Sequence, residues 1–271
     1  MHDRISVNSL CFPGASLNDL TGHWRSLEAR RVSLASGLLL DGGAAPVKAA
    51  LAGTQCRLET ITHLFLSRGH LRADPECWLA DRGRLARLID IAAHCGARSI
   101  YMVTGGHGDL TWEDAADVFS TAIEPCVAQA RQAGVTLLVE NAPVLYADVH
   151  ISHSLADTLL LAQTAGIGVC MDLYTCWTEA DLRGTIVRAL PRLGLVQLGD
   201  YVYGDRSVPG RAVPGDGCIA FRRILGWVLE AGYSGAIDLE LIGPRLDTEG
   251  HLPAVRRAAA HIGGILAALG A

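Results

Sequence analysis

The chain has almost no lysine. Lys48 is the only one among 271 residues, and arginine carries the rest of the Lys/Arg positive charge. A lysine-dependent Schiff-base enzyme would have to use Lys48, which lies in an Ala-rich stretch that reads as the surface of a helix. An excess of basic residues is also missing. The formal charge is −5, which argues against a nucleic-acid partner, since such proteins present a basic face. No uninterrupted apolar run reaches the ~18 residues of a membrane-spanning helix. The N-terminus, Met1-His2-Asp3-Arg4, has neither the basic region nor the long apolar stretch of a secretion signal. The eight cysteines contain no Cys-x-x-Cys pair and no tight cluster, and several lie in apolar runs, where a free thiol packs as a small hydrophobe. Together these absences predict a cytoplasmic chain with no membrane segment and no disulfide framework, acting on a small-molecule substrate. Assembly with like chains is left open.

What is present is a large apolar core with regular punctuation. Half of the residues are hydrophobic, and glycine and proline are spread along the chain with no linker between segments of different composition. The length suits one α/β barrel, which needs roughly 250 residues, so residues 1–271 read as one domain. Eight short β-type runs recur, at Ile5–Leu10, Arg31–Leu34, Thr60–Leu66, Ser99–Thr104, Thr136–Glu140, Gly168–Asp172, Leu195–Leu198 and Ala236–Leu241. Their starts are spaced as βα units are. Helical patterns with apolar residues three and four apart follow each, at Leu17–Arg30, Ala45–Ala52, Arg82–Ala93, Trp112–Ala133, Leu155–Ala165, Glu179–Leu190, Phe221–Ala231 and Leu252–Leu269. Gly96, Gly134, Gly166 and Gly232 stand between helix and strand, where glycine accepts the left-handed conformation that stops a helix. Eight such units predict a closed (β/α)8 barrel. The competing architecture, an open doubly wound sheet, would normally place a Gly-rich phosphate turn after its first strand. The segment there, Cys11-Phe12-Pro13-Gly14-Ala15-Ser16, has no GxGxxG.

Barrel enzymes carry their chemistry at the C-terminal ends of the strands. The fifth run ends in Glu140 and the sixth in Asp172; the seventh carries Gln197, then Asp200, and the eighth carries Glu240. Three carboxylates and an amide thus fall at four successive strand ends. Buried like charges need a compensating cation. One candidate is a divalent metal held by Glu140, Asp172, Gln197 and Glu240. An all-oxygen set suits Mn²⁺ or Mg²⁺ better than Zn²⁺, which prefers His and Cys. The other candidate is the arginine supply of the barrel rim, pairing with each acid.

These stretches carry a resemblance. Leu138-Val139-Glu140-Asn141, Val169-Cys170-Met171-Asp172-Leu173, Val196-Gln197-Leu198-Gly199-Asp200, Arg211-Ala212-Val213-Pro214-Gly215-Asp216-Gly217, and Gly232-Tyr233-Ser234-Gly235 leading to Asp238-Leu239-Glu240 resemble, in order and spacing, the xylose-isomerase-like TIM barrels of the sugar phosphate isomerase/epimerase superfamily. The resemblance covers nearly the whole chain. It implies one divalent ion held by Glu140, Asp172, Gln197 and Glu240, with Mn²⁺ preferred and Mg²⁺ or Co²⁺ as alternatives, and no nicotinamide or flavin. It implies that Glu140 and Glu240 exchange protons with an enediolate, and that Arg211 touches substrate oxygens. The chain departs from the sugar epimerases at Gln197, where they have a metal-binding His, and at Thr175, where many relatives place a substrate-binding His. His107, in the loop after the fourth run, and Trp177, near the sixth, are further substrate-contact candidates. Phe12, Leu145, Tyr146, Tyr201, Tyr203 and Leu241 suggest a mouth that accepts something less polar than a free sugar.

The reading is a metal-dependent isomerase or epimerase of a hydroxy-carbonyl substrate. A lyase or dehydratase on the same scaffold is one alternative, since the same enolate can expel a β-substituent. A non-catalytic accessory barrel is another. The multi-metal DNA-repair branch of the superfamily would need a His-rich cluster, which this acidic chain lacks.

Overall fold

Every apolar run that the sequence marks as a strand forms one. The computed structural model describes residues 1–66 and 69–271. Its strands are β1 (Ile5–Asn8), β2 (Arg31–Ala35), β3 (Arg57–Leu64), β4 (Ser99–Val103), β5 (Thr136–Glu140), β6 (Gly168–Asp172), β7 (Leu193–Leu198) and β8 (Ile237–Leu239). All neighbours are parallel, and β1 pairs with both β2 and β8, so the sheet closes into a barrel in chain order. A single residue range, 1–271, supplies all eight strands and every helix around them.

The helices are α1 (Leu17–Leu27), α2 (Ser36–Gly42), α3 (Ala44–Thr54), α4 (Leu79–Cys95), α5 (Trp112–Ala133), α6 (Leu155–Ala165), α7 (Leu173–Cys176), α8 (Leu182–Ala189), α9 (Phe221–Glu230), α10 (Pro244–Glu249) and α11 (His251–Ala268). Their starts and stops follow local chemistry. Ser16 and Ser154 each close a capping box with an aspartate three residues on, satisfying backbone donors that the first turn leaves free. Gly96, Gly134 and Gly166 end α4, α5 and α6 at φ of 72°, 70° and 67°. Among the described residues no helix is long and apolar enough to cross a membrane.

The apolar core divides into two. The large part lies between the strands and the helical ring and takes the outward residues of each strand, such as Val139, Val169, Met171, Ile237 and Leu239. The small part plugs the barrel interior with Tyr101, Leu138, Cys170, Leu195 and Ala236. The rest of the interior is polar, in contrast to the branched apolar layers that fill most such barrels. Asp238 is fully buried there. A charge at that depth is costly without a partner, of which an arginine would be one. The Asp238 carboxylate instead accepts from Ser33 Oγ (2.6 Å), Asn8 Nδ2 (3.0 Å) and Gln197 Nε2 (3.3 Å), so neutral donors of β1, β2 and β7 do that work. Burial raises its pKa above the ordinary aspartate value, and these hydrogen bonds oppose the rise. His63, whose direction the sequence leaves undecided, points out of the barrel. It is buried, with Nδ1 against Ser36 Oγ at 3.0 Å, while its neighbour Thr62 turns inward and donates to the Tyr101 hydroxyl.

Candidate functional site

Four side chains converge at the C-terminal mouth because their strands end there. Glu140 and Asp172 are the last residues of β5 and β6, Gln197 is next to last in β7, and Glu240 follows β8 by one residue. All four are buried. Alternation along β8 puts Asp238 and Glu240 on the inner face and Ile237, Leu239 and Leu241 on the outer one, which the burial partners bear out.

The cation at the centre of this group is Arg211. Its guanidinium grips Asp172 with two parallel bonds, Nη1 to Oδ1 at 3.0 Å and Nη2 to Oδ2 at 2.7 Å, and lies 3.4 Å from Glu240 Oε1. The guanidinium also sits 4.8 Å from the centre of the Tyr174 ring. The chain brings Arg211 here by folding the segment after β7 back over the mouth. Asp200 and Ala212 exchange backbone bonds of 2.9 and 2.8 Å, and Arg211 N–H donates to the Ile242 carbonyl. The Asp200 carboxylate accepts four backbone N–H groups, from Tyr201, Gly215, Gly217 and Ile219, at 2.8 to 3.1 Å. Asp200 is therefore the anchor of the Pro-Gly-Asp-Gly turn. Gly199 leaves space for the arginine stem: a Cβ there would lie 2.9 Å from Arg211 Cδ and 3.0 Å from the Glu240 carbonyl oxygen.

The three carboxylates are not equivalent. Asp172 has both oxygens doubly engaged, since Oδ1 also accepts from Tyr174 N–H and Oδ2 from the Thr175 hydroxyl. Glu240 Oε2 accepts from Gln197 Nε2 (2.6 Å) and from the Tyr101 hydroxyl (3.1 Å). The Glu140 carboxylate has no hydrogen bond or salt bridge among the described residues and faces the mouth cavity. Burial raises Glu140 well above the ordinary glutamate range, and the charges of Glu240 and Asp172 add to the rise. Burial raises Glu240 too, with Arg211 opposing. A carboxyl in this state keeps its proton to higher pH than usual, which suits a group that must both give and take one.

Among the other candidates, Arg211, Trp177 and Thr175 line the cavity over the acids, with Leu145, Tyr146, Tyr201 and Tyr203. His107 does not. It is exposed, because its loop is drawn against its neighbours: Gly105 N–H donates to the Val149 carbonyl, and Gly106 pairs with His70. Phe12 also stays out of the mouth, stacked on His23 at 4.4 Å between ring centres, and Leu241 joins the outer core.

Tyr101 has no place among the sequence candidates, and His150 reads from sequence only as a loop histidine beside a helix start. Tyr101 binds Glu240 from β4, and the alternation Ser99, Tyr101, Val103 marks the inner face of that strand. His150 is fully buried, not superficial. Its Nε2 donates to the Glu140 carbonyl at 2.7 Å and its Nδ1 accepts from Thr104 N–H at 3.1 Å. It ties the ends of β4 and β5 together. Desolvation depresses its pKa to about 3, so it is a neutral strut.

As they stand, the donors do not fit a metal ion. Asp172 has its oxygens occupied, Gln197 presents its N–H₂ to Glu240 and gives its oxygen to the Cys170 thiol at 3.0 Å, and Arg211 lies where the compensating charge is needed. Among the described residues no three His, Cys, Asp or Glu side chains are grouped to hold an ion. The arginine pairing that the sequence left open is thus the arrangement found for Asp172 and Glu240.

A closed parallel barrel with buried carboxylates at its C-terminal mouth defines the class. Residues 34–262 match the xylose isomerase-like TIM barrel family, and the chain belongs to that family. Solved structures share the fold across almost the whole chain at low identity. D-psicose 3-epimerase with D-tagatose from Clostridium cellulolyticum H10 is 14% identical, with a TM-score of 0.82 and coverage of 97% of this chain and 99% of that one. The 3-keto-D-glucoside 4-epimerase from E. coli, in its apo form, is 15% identical, with a TM-score of 0.76 and coverage of 95% and 99%. The IolI protein with a bound zinc atom is 12% identical, with a TM-score of 0.81 and coverage of 98% and 99%. A comparison with curated proteins finds no match.

Proposed function

We propose that the chain is an isomerase or epimerase that moves a proton at the carbon beside the carbonyl of a hydroxy-carbonyl substrate. The observation that carries this is the pairing of a buried carboxylate with no partner among the described residues, Glu140, with a hydrogen-bonded one, Glu240, in one cavity beside the Arg211 guanidinium. The ionised glutamate removes the proton. The C–H electron pair forms the new C=C bond, and the carbonyl oxygen takes up the negative charge of an enediolate. Arg211 supplies the positive charge that steadies it, as preorganised charge does at such sites. The protonated glutamate then returns a proton to the other face of the same carbon, which gives the epimer, or to its neighbour, in which case the hydroxyl proton passes to the former carbonyl oxygen and the isomer results. Tyr101 and Gln197 hold Glu240 in place, and His150 holds the backbone of Glu140. The epimerases among the proteins that share this fold support this reading.

A second reading keeps the divalent ion expected at Glu140, Asp172, Gln197 and Glu240, with Mn²⁺ first and Mg²⁺ or Co²⁺ next. The zinc of the IolI structure supports it. It requires Arg211 to leave Asp172 and the Gln197 amide to turn over.

One experiment tests both. The metal-stripped protein is incubated with a 3-keto-glucoside in D₂O, alone and with Mn²⁺. Deuterium gained with the aglycone retained supports the isomerase. Exchange without added ion supports Arg211 as the working cation, and exchange only with Mn²⁺ supports the second reading. Loss of the aglycone transfers the site to the lyase alternative. No exchange under either condition sinks the proposal for this substrate class.

A further inference from the structure

The cavity over the acids measures about 860 Å³, in the upper part of the ~300–1,000 Å³ range of pockets that hold drug-sized ligands and far more than a monosaccharide fills. Its two ends differ in chemistry. The floor holds Glu140, Glu240, Tyr101 and Arg211, while the outer wall is aromatic and aliphatic. Trp177, Tyr201 and Tyr203 form a ring cluster there with centre-to-centre distances of 6.0, 6.2 and 6.3 Å. Tyr203 is 74% exposed, and Val144 and Leu145 nearby are 68% and 67% exposed, so these side chains add little to the core. Five of the eight exposed large hydrophobics among the described residues, Leu64, Val144, Leu145, Tyr203 and Val208, line this one cavity. Apolar surface gathered at one opening marks a binding surface.

A free sugar carries hydroxyl groups around its rim, each needing a polar partner that the aliphatic side chains of this wall cannot give, and its small C–H faces cover little of so broad an apolar surface. A phosphate needs several cations together, and of the arginines that line the cavity among the described residues Arg211 is engaged by Asp172 while Arg206 stands exposed and single at the rim. A flat apolar group meets neither obstacle. Resting on the proton-transfer reading above, we infer that the substrate is a hydroxy-carbonyl sugar joined to an aryl or fused-ring aglycone, whose sugar reaches the acids while the aglycone lies against Trp177, Tyr201 and Tyr203.

The test uses calorimetric binding of four probes to the full chain: the 3-keto derivatives of phenyl β-glucoside and methyl β-glucoside, free 3-keto-glucose, and its 6-phosphate. The phenyl probe should bind at least about tenfold more tightly than the methyl probe, the scale of a stacked aromatic contact. The exposed pair Tyr203→Ser/Val208→Ser should reduce that ratio to threefold or less. Equal affinity for phenyl and methyl, tighter binding of the free sugar or its phosphate, or an unchanged ratio in the double variant would each overturn the inference. Deuterium exchange, measured on the same probes, separates the two claims. Discrimination that persists without exchange upholds the substrate class and removes the proton-transfer function.

Discussion

Arg211 is the residue on which the site's charge balance turns. A buried bidentate pair gains little over an apolar substitute of the same shape, but removing one partner strands the other charge, at a cost of about 3–5 kcal/mol. Arg211→Met should therefore destabilise the protein by about that amount in denaturant unfolding, because Asp172 keeps only the Tyr174 N–H and the Thr175 hydroxyl. A loss under 1 kcal/mol would show that Asp172 does not depend on the guanidinium. The carboxylates were legible in the sequence because each ends or directly follows an apolar strand, and barrel chemistry belongs at those ends. Arg211 was legible as a substrate contact, and arginine pairing was one of two ways to balance the acids. Which arginine served which acid was not legible, since Arg211 is 39 residues from Asp172. His150 was hidden for the same reason: it is 46 residues from the Thr104 it bonds.

At the scale of elements, the segment from Gly199 to Gly217 decides whether the mouth is formed. Asp200 gathers four backbone donors of this segment. Asp200→Ala leaves them without their acceptor; the Ile219 N–H is buried and the other three are part-buried, and an unsatisfied buried donor costs about 1–3 kcal/mol. A loss of about 1–3 kcal/mol is expected in unfolding experiments, together with weaker substrate binding as Arg211 loses its support. Unchanged stability would mean that the turn holds without its anchor. The strand runs predicted their elements to within a few residues because their apolar outer faces are continuous. β3 starts at Arg57, earlier than its apolar run implies, because Arg57 and Glu59 interrupt the apolar pattern where the pairing with β2 shifts register. The unforeseen α2 is seven residues long with no side-chain cap. The unforeseen α10 is six residues begun by Pro244. Elements that short carry too little periodicity to read.

Across the whole molecule, buried titratable groups set the response to pH. His63 is buried, its Nε2 without a partner among the described residues, and desolvation lowers its pKa from 6.5 to about 3. Between those values the unfolded chain binds a proton that the folded one refuses, so this group contributes stability that is present above pH 6.5 and lost as pH falls toward 3. In His63→Leu the acid-side slope should become shallower by about 1.4 kcal/mol per pH unit between pH 6 and 4. An identical slope in the variant would show that His63 is protonated in the folded state. Glu140 and Glu240 work in the opposite sense, because their raised pKa values favour the folded protein at low pH, so the comparison with the variant isolates the histidine.

The most direct measurement is proton exchange by Glu140→Gln and Glu240→Gln, each compared with the unsubstituted protein on the same keto-glucoside in D₂O. Glutamine keeps the shape and one oxygen but cannot take the proton. Each variant should fold, bind the probe and exchange deuterium at least about 10²-fold more slowly, the usual scale for losing a general base. Exchange at the original rate in both variants, with binding intact, would contradict proton transfer by this pair of glutamates.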